Sequence, residues 1–140
     1  MFYFLVYVSS ATVPFAQKDL EDLLEVSRRN NKKLNISGIL LYKDGNFMQM
    51  LEGEEEAVKQ LYDKISLDIR HGGTIVILDG YEEERQFADW SMGFRSLNSP
   101  EVLALPGYNK FLNTPLTGRE FSENPSEAQE LLLMFKEKNR

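Results

Sequence analysis

The first strand of this chain has to be covered on both of its faces. Residues 2–8 (FYFLVYV) are aromatic, β-branched or Leu, and both alternating sets of positions are apolar. Successive side chains of a strand point to opposite faces of a sheet, so an uninterrupted apolar run is typical of a strand buried on both sides. Any fold for this sequence must therefore place structure on each face of its sheet.

Two helices are predicted from the spacing of apolar residues. Leucines at helical spacing predict a first helix over about 16–29, ended by Asn30-Asn31. Glu54 to Glu56 are expected to open the second helix, because acidic side chains complement the dipole at a helix N-terminus. Gly72-Gly73 is expected to end it. Its apolar stripe is predicted to consist of Val58, Leu61, Tyr62, Ile65 and Ile69.

Four more strands complete a sheet. They are predicted at 36–42, 47–51, 74–78 and about 91–94. Asp44-Gly45 joins the first pair as a hairpin, because a two-residue type I′ turn needs positive φ at both positions, and Glu52-Gly53 is expected to close the return strand. The order β-α-β-β-α-β-β predicts an α+β fold, a ferredoxin-like sheet with both helices on one face.

The rest of the chain is expected to cover the opposite face. One short helical segment is predicted around Val102, Leu103, Leu105 and Phe111-Leu112, and a terminal helix over Glu127 to Glu137. We therefore divide the sequence into a sheet domain, residues 1–95, and a C-terminal helical extension, residues 96–140, that packs on the same domain.

Composition excludes several classes of protein. The formal net charge of −6 disfavours a nucleic-acid partner, which would need a basic face. The absence of cysteine rules out disulfides, thiol catalysis and cysteine–zinc sites. No apolar run approaches the roughly 20 residues that span a bilayer, and the first residues lack the basic segment of a signal peptide. We expect a cytoplasmic protein that binds neither nucleic acid nor membrane.

A few polar residues stand at positions that should be buried. Gln49 shares a strand face with Phe47 and Leu51, and Tyr7 shares one with Tyr3 and Leu5. A buried amide costs a few kcal/mol unless both of its ends find partners. Each residue taken alone is equally well explained as a satisfied core polar group.

The other candidate groups are also ambiguous when taken singly. Asn30-Asn31 fits a helix end, and His71, the one histidine, fits the C-terminal dipole of a helix. No carboxylate cluster has the spacing of metal ligands, so no metal site is predicted. The sequence contains no G-x-S-x-G, H-E-x-x-H, P-loop or G-x-G-x-x-G motif. We therefore expect that the chain is not an enzyme.

Read together, these residues form an ordered series. It consists of Tyr7, Asn31, the segment Phe47 to Gly53 around Gln49, Asp68-Ile69-Arg70-His71, and Arg85 to Phe94 with Trp90 and Met92. The series resembles the BLUF family, the blue-light sensors that use FAD, over roughly residues 1–95.

The resemblance implies a site that binds FAD non-covalently between the two helices. It makes Tyr7 the donor of an electron and a proton, and places Gln49 between Tyr7 and the N5/O4 edge of the flavin. Asn31, with Asn30 beside it, would bond the carbonyl side of the ring. Contacts with the ribityl or phosphate part are implied for Arg70 and His71, and Lys64 and Asp68, one turn apart, are expected to face the cofactor.

The mechanism implied by the resemblance suits these residue types. A phenol can release an electron and a proton reversibly. The two ends of an amide are nearly isosteric, so its rotation or tautomerisation reverses hydrogen bonds without repacking. The lit state would absorb further to the red and revert thermally. Trp90 and Met92 match the family element linked to signal output, and the sequence leaves open which of them faces the flavin.

The expected output is a signal to a separate protein partner. The apolar face of the sheet, together with the resemblance to the family, also favours a homo-oligomer. One alternative is a flavin-free interaction module on the same fold, in which Tyr7 and Gln49 are ordinary core residues. A hydrolase of the acylphosphatase kind is a second alternative. It is disfavoured because the segment from Ser9 to Pro14 contains neither an arginine nor a glycine nest.

Overall fold

One mixed sheet of five strands organises the chain. The computed structural model describes residues 1–88, 90–105, 108–111, Leu116, Phe121 and 123–135. The strands lie in the order β4-β1-β3-β2-β5. β1 is antiparallel to β3 and β4, β2 is antiparallel to β3, and the short β5 runs parallel to β2. Their bounds are β1 Phe2–Ala11, β2 Ser37–Lys43, β3 Asn46–Gly53, β4 His71–Glu82 and β5 Gly93–Ser96. This arrangement confirms the predicted ferredoxin-like sheet.

Each face of the sheet carries its own hydrophobic core. On one face, α1 (Gln17–Leu34) and α2 (Glu55–Ser66) pack against Tyr3, Leu5 and Tyr7. On the other face, residues of the C-terminal region pack against Val6 and Val8. The described elements of that region are α3 Pro100–Leu103, a 3₁₀ helix Tyr108–Phe111 and α4 Pro125–Leu133. The requirement that β1 be covered on both faces is met in this way.

The first helix is longer than the sequence predicted. It does not end at Asn30-Asn31 but continues to Leu34, and Asn35 takes the left-handed conformation (φ 56°) that ends it. The Asn35 N–H donates to the carbonyl groups of Asn31 and Lys32, which satisfies groups that a helix end would otherwise leave unpaired. Asn31 is consequently a buried residue inside the last turns of α1.

The second helix is shorter than predicted. It ends at Ser66, so Ile69 is not part of its apolar stripe and is 88% exposed. Gly72-Gly73 does not end the helix, because both glycines lie inside β4. The Asp68 carboxylate instead accepts the Arg70 N–H at 2.9 Å and turns the backbone, while the Thr12 N–H donates to the Arg70 carbonyl and holds that turn beside β1.

Other boundaries shift by smaller amounts. The Asp44-Gly45 turn is confirmed, with φ of 50° and 82°. β3 does not close at Glu52-Gly53 but includes both residues, and β5 begins at Gly93. The predicted terminal helix begins at Pro125 and extends to Leu133, and Leu112 and Glu137 lie outside the described residues. None of the helices in the described ranges is both long and apolar enough to cross a bilayer.

A candidate cofactor cleft between the two helices

A cleft opens between α1 and α2 above the sheet. Its volume is about 240 Å³, just below the ~300–1,000 Å³ of typical small-molecule sites, and its mouth is open, so a larger ligand can extend outward. Tyr7 and every residue predicted to bind the cofactor line it: Asn30, Asn31, Gln49, Lys64, Asp68, Arg70 and His71. The tertiary structure therefore brings to one place residues from β1, α1, β3, α2 and the start of β4.

Tyr7 and Gln49 lie directly opposite each other on neighbouring strands. They are register partners in the β1–β3 ladder, and the Tyr7 hydroxyl donates a hydrogen bond to Gln49 Oε1. Both side chains are buried. Burial, followed by the nearby Tyr62 and Asp68, raises the pKa of Tyr7 well above its ordinary value. The phenol is therefore fully protonated at neutral pH, as a donor of both an electron and a proton must be.

The other end of the Gln49 amide points toward Met92. Gln49 Nε2 lies 3.2 Å from the Met92 sulfur, which is a weak hydrogen-bond acceptor. The amide thus has a strong partner at its oxygen and a weak partner at its nitrogen. Because Gln49 also lines the cleft, a reversal of the amide would change the polarity that it presents to a ligand there.

Asn31 connects the cleft to the segment that follows β4. Its side-chain Nδ2 donates to the Ser91 carbonyl at 3.0 Å. Arg28 Nε donates to the Met92 carbonyl at 2.8 Å. Arg28 was not among the residues predicted from the sequence, although it lies three residues before Asn31 and hence on the same face of α1. Asn30 also lines the cleft, but it is exposed.

The mouth of the cleft carries charged groups. Arg70 Nη2 lies 2.5 Å from Asp68 Oδ2. The Arg70 side chain is the main reason that the pKa of Asp68 falls to about 2, so the ion pair is present at neutral pH. Lys64 is on α2 and Asp68 lies beyond its end, which means that the two are not one helical turn apart as predicted. Both nevertheless line the cleft.

Two buried polar atoms of the cleft lack protein partners. Ser9 Oγ and His71 Nδ1 make no hydrogen bond to any residue that the structure describes, whereas His71 Nε2 lies 2.6 Å from the Ile65 carbonyl oxygen. Buried polar groups are nearly always paired, so these atoms suit a polar ligand. The apolar walls, which include Phe15, Leu23 and Leu40, suit a flat ring system. Ser9 was not among the predicted site residues, although its alternation with Tyr7 along β1 places both side chains on the same face of the sheet.

Trp90 and Met92 lie on different faces of the sheet. Met92 is buried in the core beneath the helices, and Trp90 is buried in the core that the C-terminal region covers. The Trp90 ring packs 5.5 Å from the Phe87 ring. Trp90 is therefore outside the cleft and Met92 contacts Gln49. Asp89 lies outside the described residues. No cluster of possible metal ligands occurs within the part of the chain that the structure describes.

Known proteins share this arrangement. BlsA in its photo-activated state superposes with a TM-score of 0.83 at 27% identity, with 100% of this chain and 98% of that chain covered. The dark-state structure of BlrB, a BLUF protein, superposes with a TM-score of 0.81 at 29% identity, with 96% of this chain and 95% of that chain covered.

Sequence relatives agree with these structures. Photoactivated adenylate cyclase subunit beta of Euglena longa is 38% identical over 89 residues, which are 63% of this chain and 10% of that protein. The blue light- and temperature-regulated antirepressor BluF of Escherichia coli is 34% identical over 88 residues, 63% of this chain and 22% of that protein. The chain thus spans about a tenth of the length of the cyclase subunit. The family model for sensors of blue light using FAD matches residues 2–93, and the chain belongs to this flavin-binding BLUF family.

Proposed function

We propose that this chain is a blue-light photosensor that holds FAD in the cleft between α1 and α2 and switches through Tyr7 and Gln49. The observation that carries the proposal is the buried hydrogen bond from the Tyr7 hydroxyl to Gln49 Oε1, at the wall of a cleft with unpaired polar atoms. When bound, the flavin supplies absorption of blue light and an acceptor for one electron. The protein supplies the donor and the groups that respond.

Tyr7 is placed to release an electron together with its hydroxyl proton. Its pKa is raised, so the proton is present before illumination, and Gln49 Oε1 already accepts a hydrogen bond from the same hydroxyl. Gln49 can then exchange its donor and acceptor ends by rotation or tautomerisation, because the two ends are nearly isosteric. The exchange would alter the hydrogen bonds that Gln49 makes with Tyr7, with Met92 and with a ligand in the cleft.

The remaining polar groups would hold the cofactor. Asn31 and Asn30 lie on the α1 side of the cleft, where an amide can bond a ring carbonyl. Arg70 and Lys64 are exposed and line the cleft, and these cationic groups suit the phosphates of FAD. His71, which is partly buried beside them, would bond the ribityl or phosphate part. Lys64 cannot make the bidentate phosphate contact that Arg70 can. We assign the flavin-binding sensor domain to residues 1–95. Residues 96–140 are assigned to a C-terminal helical extension that packs on the sheet face opposite α1 and α2.

The output would leave through the segment that contains Met92 and Trp90. This segment contacts Gln49 on one side of the sheet and the core of the C-terminal region on the other. We infer that the chain has no catalytic activity of its own and passes its signal to a protein partner. The net negative charge of the chain does not suit a nucleic-acid partner. A second copy of the chain is a further candidate for a binding partner at the outer surface.

Absorption spectra of the purified chain test this proposal. In the wild type we expect a flavin spectrum that shifts to the red under blue light and recovers in the dark. Tyr7→Phe should bind flavin without the shift, whereas the control Tyr62→Phe, whose ring lies 5.3 Å from that of Tyr7, should retain it. A colourless protein after incubation with FAD would favour the flavin-free interaction module, and a bound flavin indifferent to light would refute the switch.

A further inference from the structure

Glu52 is a buried acidic residue that the proposed photochemistry does not use. It is 0% exposed and lies near the end of β3. Alternation along the strand puts it on the sheet face opposite Gln49. A buried carboxyl group is costly unless hydrogen bonds compensate for lost water, so its partners indicate what holds it there.

Those partners belong to other elements of the fold. Glu52 Oε2 accepts the Gln86 N–H at 2.8 Å, and Oε1 accepts the Phe87 N–H at 2.6 Å. The Ser37 hydroxyl at the start of β2 also donates to Oε1, at 3.1 Å. One carboxyl group thus ties the connection between β4 and β5 to two central strands of the sheet.

The connection that Glu52 holds is followed along the chain by Trp90 and Met92, the residues proposed to carry the output signal. The Trp90 N–H donates to the Phe87 carbonyl at 2.9 Å, and the Trp90 carbonyl accepts the Gly38 N–H at 3.0 Å. At the other end of this segment, the Met92 sulfur contacts Gln49. Strand β3 therefore contacts Gln86 and Phe87 through Glu52 on one face and Met92 through Gln49 on the other.

A second carboxyl group lies beside Glu52. Glu82 ends β4, and its Oε2 is buried with no hydrogen-bond partner among the described residues. Burial together with Glu52 raises the pKa of Glu82 to about 9. Arg85 lies near this pair, with its Nη1 3.1 Å from Ser37 Oγ and 3.5 Å from the Glu52 carbonyl oxygen. At neutral pH the Glu82 carboxyl is therefore protonated.

Glu82 and the neighbouring Gln86 also lie close to the C-terminal helix. Glu82 and Gln86 line a cavity of about 150 Å³ with Gln129 and Leu132 of α4. A movement of residues 86–87 would thus change the wall against which α4 packs. We propose that Glu52 is a positioning residue that couples a change at Gln49 to α4 by fastening Gln86 and Phe87 to β3. This inference rests on the proposed light switch.

Hydrogen exchange on the flavin-loaded full chain, in the dark and under blue light, tests the coupling. In Glu52→Gln only one oxygen remains to accept the two N–H groups, so we expect the amides of Gln86 and Phe87 to exchange roughly tenfold or more faster. The red shift of the flavin should persist, because Glu52 is outside the cleft. The light-induced change in exchange over Pro125–Leu133 should fall to less than half of its wild-type value.

Two more variants separate coupling from simple loss of structure. Ser37→Ala removes the hydrogen bond to Glu52 Oε1 and the one from Arg85 but leaves the carboxyl group. It should therefore weaken the coupling in the same direction, and it provides the test if Glu52→Gln does not fold. In the wild type, coupling should decline as pH rises through about 9, when Glu82 ionises beside Glu52. Glu82→Gln cannot ionise and should retain the coupling across that range.

The possible failures are distinguishable. A wild type without a red shift would refute the proposed function and this inference with it. A normal red shift with an unchanged light response at Pro125–Leu133 in Glu52→Gln, or with no such response in the wild type, would overturn the inference alone. Loss of the red shift in Glu52→Gln would place Glu52 in the photochemical site and would equally overturn a positioning role.

Discussion

The indole ring of Trp90 occupies the space that any side chain at position 93 would need. A Cβ atom on Gly93 would lie 2.0 Å from Trp90 Cε3 and 2.5 Å from Cζ3. The glycine therefore permits the indole to lie flat against the start of β5, where the Arg95 guanidinium lies 5.5 Å from the ring centre. The close approach of the indole to Gly93 keeps Trp90 in the core beneath the C-terminal region and leaves Met92 facing Gln49.

Gly93→Ala should displace the Trp90 ring. Overpacking of this kind typically destabilises by roughly 1–3 kcal/mol, and we expect a loss of that size in the free energy of unfolding, measured with urea. Fluorescence of Trp90, the single tryptophan, should report a more exposed indole. Gly72→Ala is the control, since its Cβ would meet Thr12 Cγ2 at an ordinary 3.6 Å. Equal stability of the two variants would contradict this account.

Met92→Ala should separate photochemistry from output. The Tyr7–Gln49 hydrogen bond does not involve Met92, so the red shift of the flavin should remain largely intact. The contact of the sulfur with Gln49 Nε2 would be lost, and light-induced changes in hydrogen exchange of α4 should be blunted. Met92→Leu keeps the volume without the sulfur and should behave in the same way. A response of α4 equal to that of the wild type would argue against this route.

Arg70→Ala should weaken binding of FAD but not of riboflavin, which has no phosphate. Hydrogen bonds to charged groups contribute about 1.5–3 kcal/mol, and competition from Asp68 offsets part of this, so we expect a rise of roughly tenfold in the Kd of FAD. Arg29→Ala, an exposed position paired with Glu25 on α1, should leave both affinities unchanged. Identical effects of Arg70→Ala on the two ligands would remove Arg70 from the phosphate site.

Stability should decline as pH rises toward 9 because of Glu82. The folded chain retains a proton on Glu82 up to about pH 9, whereas the ordinary pKa of the group is 4.5. Between these values the unfolded chain binds fewer protons, so the free energy of unfolding contributed by this group falls with rising pH. Urea unfolding at several pH values should show the decline in the wild type and a flatter profile in Glu82→Gln. A profile unaffected by the substitution would show that Glu82 is not the group responsible.

Local patterns in the sequence were sufficient for the sheet, whereas the centre of the site followed from the resemblance to the BLUF family. The apolar run of β1, the Asp44-Gly45 turn and the alternation along β3 depend on neighbouring residues in the chain, so the fold was predictable. The same patterns left Tyr7 and Gln49 equally well explained as ordinary core residues. The ends of the helices were less predictable. The left-handed residue that ends α1 is Asn35 and not Asn30 or Asn31. By sequence alone, an asparagine at any of these three positions is equally suited to end the helix.

Only the tertiary structure decided which of Trp90 and Met92 faces the cleft. It alone also showed that Glu52 is a buried hydrogen-bond acceptor for Gln86 and Phe87 and not the end of a strand. The first depends on the space beside Gly93, and the second on backbone N–H groups more than thirty residues away along the chain. Periodicity describes which residues share a face of one element. It carries no information on which distant group will fill a gap or satisfy a carboxyl group, because those choices are made by packing between elements.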